Sequence, residues 1–241
     1  VSLLVPQGAK VALVGRSGAG KSTLLSLMAG MEEPCAGRLC SPAGGCGRLA
    51  QARWRDRVSF VPQNAAVLAA SIRDNVALYR PCASDGQVRR ALEQVGLGDL
   101  LDGLPDGLDT VVGRGGRALS GGQAQRLALA RALVDPDRDV LFLDEPTASV
   151  DLWTEAEMAP ALLRAMEGRT VVLATHRLSW LEHFDQVVVL EAGRVVAQGA
   201  PGSLAGILGG VCAPEGLAGA AAEHLSLRGA LEGRCGDGRQ A

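Results

Sequence analysis

The sequence has 241 residues, with 24 Lys and Arg against 26 Asp and Glu and a formal net charge of −2, which is chain enough for one substantial domain but not for two full-sized ones. So even a charge balance leaves no basic footprint and excludes nucleic acid as the main partner. Hydrophobic residues reach 47%, yet they come in short runs broken by Gly and Arg, and none approaches the ~20 uninterrupted apolar residues of a membrane-spanning helix.

In chain order, residues 1–14 lack the basic start, apolar run and small-residue cleavage site of a signal peptide, which places the chain on the cytosolic side. There the cysteines Cys35, Cys40, Cys46, Cys82, Cys212 and Cys235, with no CxxC among them, are expected as free thiols. A metal site built on Cys35, Cys40 and Cys46 lacks a nearby fourth ligand. Apolar runs at 10–15, 58–61, 139–144, 170–175 and 186–191 read as strands, and they alternate with helix-like stretches as in a mainly parallel sheet covered by helices. Between 81 and 117 the pattern turns helical: Ser84 and Gln87 have capping-box spacing, and Val88, Leu92 and Val95 share a face. The residues Glu191 to Arg194 read as a tight turn into a strand at 195–197. From 206 to 241 the Gly- and Ala-rich chain shows no sustained period and reads as a loosely ordered tail after a domain spanning 1–205.

The first strand runs into Gly15, Arg16, Ser17, Gly18, Ala19, Gly20, Lys21, Ser22 and Thr23, followed by Leu24, Leu25, Leu27 and Met28. This is GxxxxGK[ST] in its strand–loop–helix setting, where bare glycine amides curl around phosphate oxygens and the helix N-terminus adds a favourable dipole. Lys21 is suited to the β and γ phosphates, and Ser22 to Mg²⁺. With 32 Gly and two Lys in the chain, the expected number of such matches by chance over its whole length is roughly 0.003. Lys10 and Lys21 are the only lysines, so 22 of the 24 cations are Arg. A compact ammonium therefore stands where phosphates would converge. Further on, the apolar run Val140, Leu141, Phe142 and Leu143 ends in Asp144 and Glu145. At the carboxyl end of a buried strand, Asp144 can hold Mg²⁺ through water, and Glu145 can orient or deprotonate an attacking water.

Leu119, Ser120, Gly121, Gly122 and Gln123, continuing through Gln125 and Arg126 into an apolar helix, resemble the signature motif of ABC ATPases. The family's other marks follow in order: Gln63 after Phe60, Val61 and Pro62; Asp144, Glu145, Pro146 and Thr147; Asp151; and Thr175, His176 and Arg177. This resemblance covers roughly residues 1–205 and implies a P-loop NTPase fold of the α/β class, with a mainly parallel sheet and a helical subdomain at about 64–134. It implies ATP and Mg²⁺ as ligands and a head-to-tail partner of the same kind, either a second copy or a different chain. Ser120, Gly121 and Gly122 would then meet the partner's γ-phosphate, and Asp151 would couple the two sites. By the same resemblance Gln63 senses Mg²⁺ and the attacking water, and His176 contacts the γ-phosphate.

Ser71 to Val76, Gly107 to Gly113, and Thr175 to Ser179 look like exporter-type ATPases, in which membrane helices precede the ATPase in one polypeptide. That implies work at the cytoplasmic face of the cell membrane, coupling ATP-driven dimerisation to transport. Leu104 to Asp109 with Gly121 to Arg126 is similar to the heterodimeric thiol exporters of cytochrome bd assembly. Four departures stand out. No aromatic residue precedes Gly15 to stack on adenine, and the chain starts with Val inside the expected first sheet, which reads as a fragment or a late-started gene. Arg114 stands where exporters carry Glu, and Leu68 replaces an aromatic near Gln63. Two alternatives are a nucleotide-binding regulatory half of an asymmetric pair and a soluble, non-transport ATPase of the same family.

Overall fold

The computed structural model describes residues 1–41, 48–148 and 150–212. Its first strand, β1 (Lys10–Val14), leads into helix α1 (Lys21–Met28), and α2 (Arg48–Arg57) then feeds β2 (Val58–Val61). A helical region follows: β3 (Ala70–Ser71), α3 (Ile72–Val76), α4 (Asp85–Gln94), α5 (Gly98–Asp102), β4 (Val111–Val112) and α6 (Gly121–Leu133). The chain returns to the sheet with β5 (Val140–Asp144), crosses through α7 (Leu152–Ala165) to β6 (Thr170–Ala174), and continues as β7 (Gln186–Glu191), β8 (Arg194–Gly199) and α8 (Ala205–Cys212).

The main sheet has the order β2-β5-β6-β1-β7-β8 and is parallel except for the β7–β8 hairpin. Strands buried on both faces read as unbroken apolar runs rather than alternating ones, as β5 and β6 do with every residue buried. Their side chains still divide by pleat. Ala12, Val14, Leu141, Leu143, Val171 and Leu173 face the core shared with α4, α6 and α7. Val11, Leu13, Phe142, Val172 and Ala174 face the opposite core, with Leu25 and Met28 of α1. The edge strand β8 leaves Arg194, Val196 and Gln198 exposed, which suits a strand covered on one side only.

The helical region is held by polar groups as well as apolar ones. The side chain of Asn75, fully buried, receives Leu68 N at 2.9 Å and donates to Leu68 O at 3.0 Å. Arg131 on α6 donates to Asn75 O at 2.8 Å and to Ala66 O at 3.2 Å. Ser84 caps α4 in the full capping box expected of Ser84 and Gln87, and Val88 and Leu92 are buried below it.

Two stretches differ from their sequence reading. Residues 81–117 read as helical throughout, but Val111–Val112 pairs antiparallel with Ala70–Ser71. Two residues are too few to show a strand period, and their pairing is non-local. The stretch from 206 read as loose, but it begins as α8, whose Leu208 is buried against the core. Beyond residue 212 the expected tail lies outside the described residues, as do Cys46 and Cys235. Among the described residues no cluster of three or more His, Cys, Asp or Glu side chains is arranged to hold a metal, and Cys35 and Cys82 are exposed thiols. No described helix is long and apolar enough to cross a membrane.

Leu141 is completely buried in the centre of β5. Leu141→Ala is expected to lower unfolding free energy by roughly 2–5 kcal/mol, measured by urea titration, while Val196→Ala on the edge strand changes it by less than about 0.5 kcal/mol.

Candidate active site

The loop from Gly15 to Gly20 is shaped by close packing against the β7–β8 hairpin. A Cβ on Gly15 would lie 2.4 Å from Leu190 O, so only glycine admits that approach. Gly18 and Gly20 take φ of 77° and 96°, values that side chains rarely adopt. From the other side, Gly193 N donates to Ala19 O at 3.0 Å. The turn legible in the sequence as a hairpin is therefore also the wall of the loop. Arg16, Ser17, Gly18, Ser22 and Thr23 are exposed, whereas Lys21 is buried. Its ammonium donates to Gly15 O at 2.8 Å and to Arg16 O at 3.3 Å, a cage of loop carbonyls around a compact cation. A cavity of ≈1010 Å³ reaches from Gly20, Thr23 and Gly193 at the loop to Leu3, Leu39 and Phe142 against the sheet.

Asp144 is the last residue of β5 and is buried. Burial pushes its carboxyl above the ordinary range, a hydrogen bond from Ser22 opposes that, the charge of Glu145 adds to it, and Lys21 opposes it again. A buried carboxylate facing a helix-start hydroxyl is a hard-oxygen donor set that fits Mg²⁺.

Glu145, one residue beyond, has φ of 46°, a left-handed conformation costing about 1 kcal/mol for a residue with a Cβ. Its amide is fixed by donating to Ala174 O at 2.9 Å. The chain thus turns sharply off the sheet, and the Glu145 carboxylate meets two other residues singled out by sequence. Gln63 Nε2 donates to Glu145 Oε2 at 3.2 Å. His176 Nδ1 lies 3.5 Å from the same oxygen. These three positions, spread over 114 residues of sequence, converge on one atom because β2, β5 and β6 are neighbours and all end at the same edge.

The remaining sequence-predicted residues lie on helix starts. Ser120 caps α6: its hydroxyl accepts from Gln123 N at 3.2 Å, and Ser120 N donates to Gln123 Oε1 at 3.0 Å. Gly121 and Gly122 fall in the first turn, whose amides have no intrahelical acceptor. Leu119 packs on the core beside them. The side-chain bonds of Ser120 and Gln123 run to each other, and none reaches residues 15–23. Asp151 caps α7, accepting from Thr154 N at 2.9 Å, and these bonds hold its carboxyl below the ordinary range.

Sequence reasoning missed the buried Glu155, which touches Thr147, Arg177 and Trp180. Gln125 was named only within the run after the signature and given no role; its Nε2 donates to Pro62 O at 3.3 Å and ties α6 to the residue before Gln63. A buried polar side chain inside an apolar helix was the available signal for Gln125.

The family model described as ABC transporter matches residues 1–148. The chain is 42% identical over 190 residues to the glutathione/L-cysteine transport system ATP-binding/permease protein CydC of Bacillus subtilis (strain 168), covering 79% of this chain and 33% of that protein. It is 43% identical over 202 residues to the ATP-dependent lipid A-core flippase of Ralstonia nicotianae, covering 83% and 34%. It is 42% identical over 200 residues to the mycobactin import ATP-binding/permease protein IrtB of Mycolicibacterium thermoresistibile, again covering 83% and 34%. A solved structure of a bacterial Atm1-family ABC exporter with ATP bound matches with a TM-score of 0.76 and 34% identity, over 93% of this chain and 37% of that one. The chain thus spans about a third of the length of these relatives. Fold, motif order and these matches together make the chain a member of the ABC transporter family, an ATP-binding domain of the kind carried by exporter-type ATP-binding/permease proteins.

Proposed function

We propose that this domain hydrolyses ATP as one half of a head-to-tail pair and that the cycle drives export through a transmembrane partner, at the cytoplasmic face of the cell membrane. The observation that carries the reading is the meeting of Gln63 and His176 on one carboxylate oxygen of Glu145. ATP lies with its phosphates in the loop from Gly15 to Thr23 and its ribose and base toward the cavity beside Thr23. The Lys21 ammonium exchanges the Gly15 and Arg16 carbonyls for phosphate oxygens. Ser22 and Asp144, with Gln63, hold Mg²⁺, which when bound neutralises charge building on the β and γ phosphates. Glu145 accepts a proton from the attacking water as the water oxygen bonds to the γ-phosphorus and the bridging oxygen leaves with ADP. Gln63 and His176 keep the carboxylate and the γ-phosphate in register, which is the positioning that phosphoryl transfer mostly requires.

A second copy or a related chain completes the site. The N-cap at Ser120 and the free first-turn amides of Gly121 and Gly122 form an anion-binding start to α6. Since their own chain does not bring them to residues 15–23, they serve the nucleotide of the partner, with Asp151 near the join. The transmembrane partner docks where the departures from the exporter pattern lie together: Leu68 is exposed, Gly113 packs against Leu68 O, and Arg114 follows directly. The relatives are named for glutathione and L-cysteine, lipid A-core and mycobactin. Cargo identity, the thiol class included, therefore belongs to the region these proteins do not share with this chain.

Two outcomes are expected. Glu145→Gln lowers phosphate release by roughly 10²–10⁴-fold while ATP binding persists, measured by single-turnover hydrolysis and nucleotide retention. If the unsubstituted protein bound ATP but released no phosphate, the regulatory-half reading would take its place. The raised carboxyl of Asp144 means the folded state holds its proton more tightly than the unfolded one, so stability falls as pH rises from the unfolded carboxyl's range through the folded one. Asp144→Asn is thus expected to raise the melting temperature at pH values above that window and to abolish Mg²⁺-supported turnover, followed by thermal denaturation and a Mg²⁺ titration.

A further inference from the structure

The segments that carry Glu145, Asp151 and His176 meet beneath the surface on one side chain. Glu155, in the first turn of α7, is 5% exposed. Its Oε1 accepts from Thr147 Oγ1 at 3.1 Å and from Trp180 Nε1. Its Oε2 pairs with Arg177. Arg177 in turn donates through its other terminal nitrogen to Val150 O at 2.9 Å, and through its backbone amide to Thr175 Oγ1 at 3.0 Å. Thr147 lies two residues after Glu145, Val150 immediately precedes Asp151, and Arg177 immediately follows His176.

A buried charge is costly unless paired, and breaking the pair leaves the partner unpaired at several kcal/mol. Burial lowers the Arg177 guanidinium from the ordinary arginine range, with the charge of Asp151 opposing, so this pair is under that constraint. An apolar cluster would hold these loops with little directional preference. A carboxylate with two oxygens aimed at three donors fixes their relative positions.

Resting on the hydrolytic reading of Glu145, we infer that Glu155 is a positioning residue for turnover. Through Arg177 it holds His176 and the segment ahead of Asp151 in register with Glu145, and through Thr147 it anchors the Glu145 loop itself. It touches neither nucleotide nor water. Its loss therefore changes the rate of the chemical step and leaves ATP binding at Lys21 and Ser22 intact.

The test is steady-state ATP hydrolysis by the full protein carrying Glu155→Gln, alone and combined with His176→Ala. A misplacement of about 1 Å near the reacting atoms costs up to about 100-fold. A kcat lower by roughly 10- to 100-fold with KM for ATP unchanged is expected, with little further loss when Glu155→Gln is added to His176→Ala. An unchanged kcat, a matching rise in KM, or the same fold-loss in both backgrounds would overturn the proposal. If Glu155→Gln fails to fold, Thr147→Val removes a single bond of the cluster and is held to the same KM-against-kcat criterion. The proposal failing while Glu145→Gln still abolishes turnover would leave the hydrolytic reading standing.

Discussion

The left-handed backbone at Glu145 is the constraint on which the site depends. A parallel strand delivers its last side chains to the carboxyl edge of the sheet, but β5 alone would alternate them between faces. The turn at φ 46°, pinned by the bond from Glu145 N to Ala174 O, breaks that alternation. Asp144 stays in the buried layer against Ser22, and Glu145 swings to where Gln63 and His176 reach it. Adjacent acids thus gain different surroundings, one metal-suited and buried, the other turned toward two polar side chains.

Around that turn the fold ties each loop to something rigid. The phosphate loop is backed by Leu190 and Gly193 of the hairpin, so its shape is set by backbone contact rather than by side chains that could adapt. The chain on either side of Gln63 is bound to α6, through Gln125 at Pro62 O and through Arg131 at Ala66 O. α6 also begins at Ser120, so one helix carries both the anchors of the Gln63 loop and the Ser120 cap.

Much of this was legible in the sequence where the signal is local. Buried strands show as unbroken apolar runs, the phosphate loop as glycines around Lys21, and the capping box at Ser84 as an i, i+3 pair with Gln87. Gln63, Glu145 and His176 were identified through motif order, and their shared oxygen follows only from strand neighbours that no spacing encodes. Helix α2 was missed because RLAQARWRDR has no apolar face; within it, Trp54 is held by donating to Met28 O at 2.7 Å, a contact across 26 residues. Glu155 was invisible for a related reason. In sequence it is an ordinary acid near a helix start, and its importance arises only when Arg177 and Trp180 fold onto it.

The convergence on Glu145 is the central claim, and a mutant cycle on phosphate release tests it most directly. Gln63→Ala and His176→Ala are each measured in the unsubstituted protein and in the Glu145→Gln background. Groups acting as a unit are grossly non-additive, so each substitution should slow the first protein strongly and change the residual rate of the second by less than about threefold. Equal fold-losses in both backgrounds would show that Gln63 and His176 act independently of Glu145, and would contradict the account.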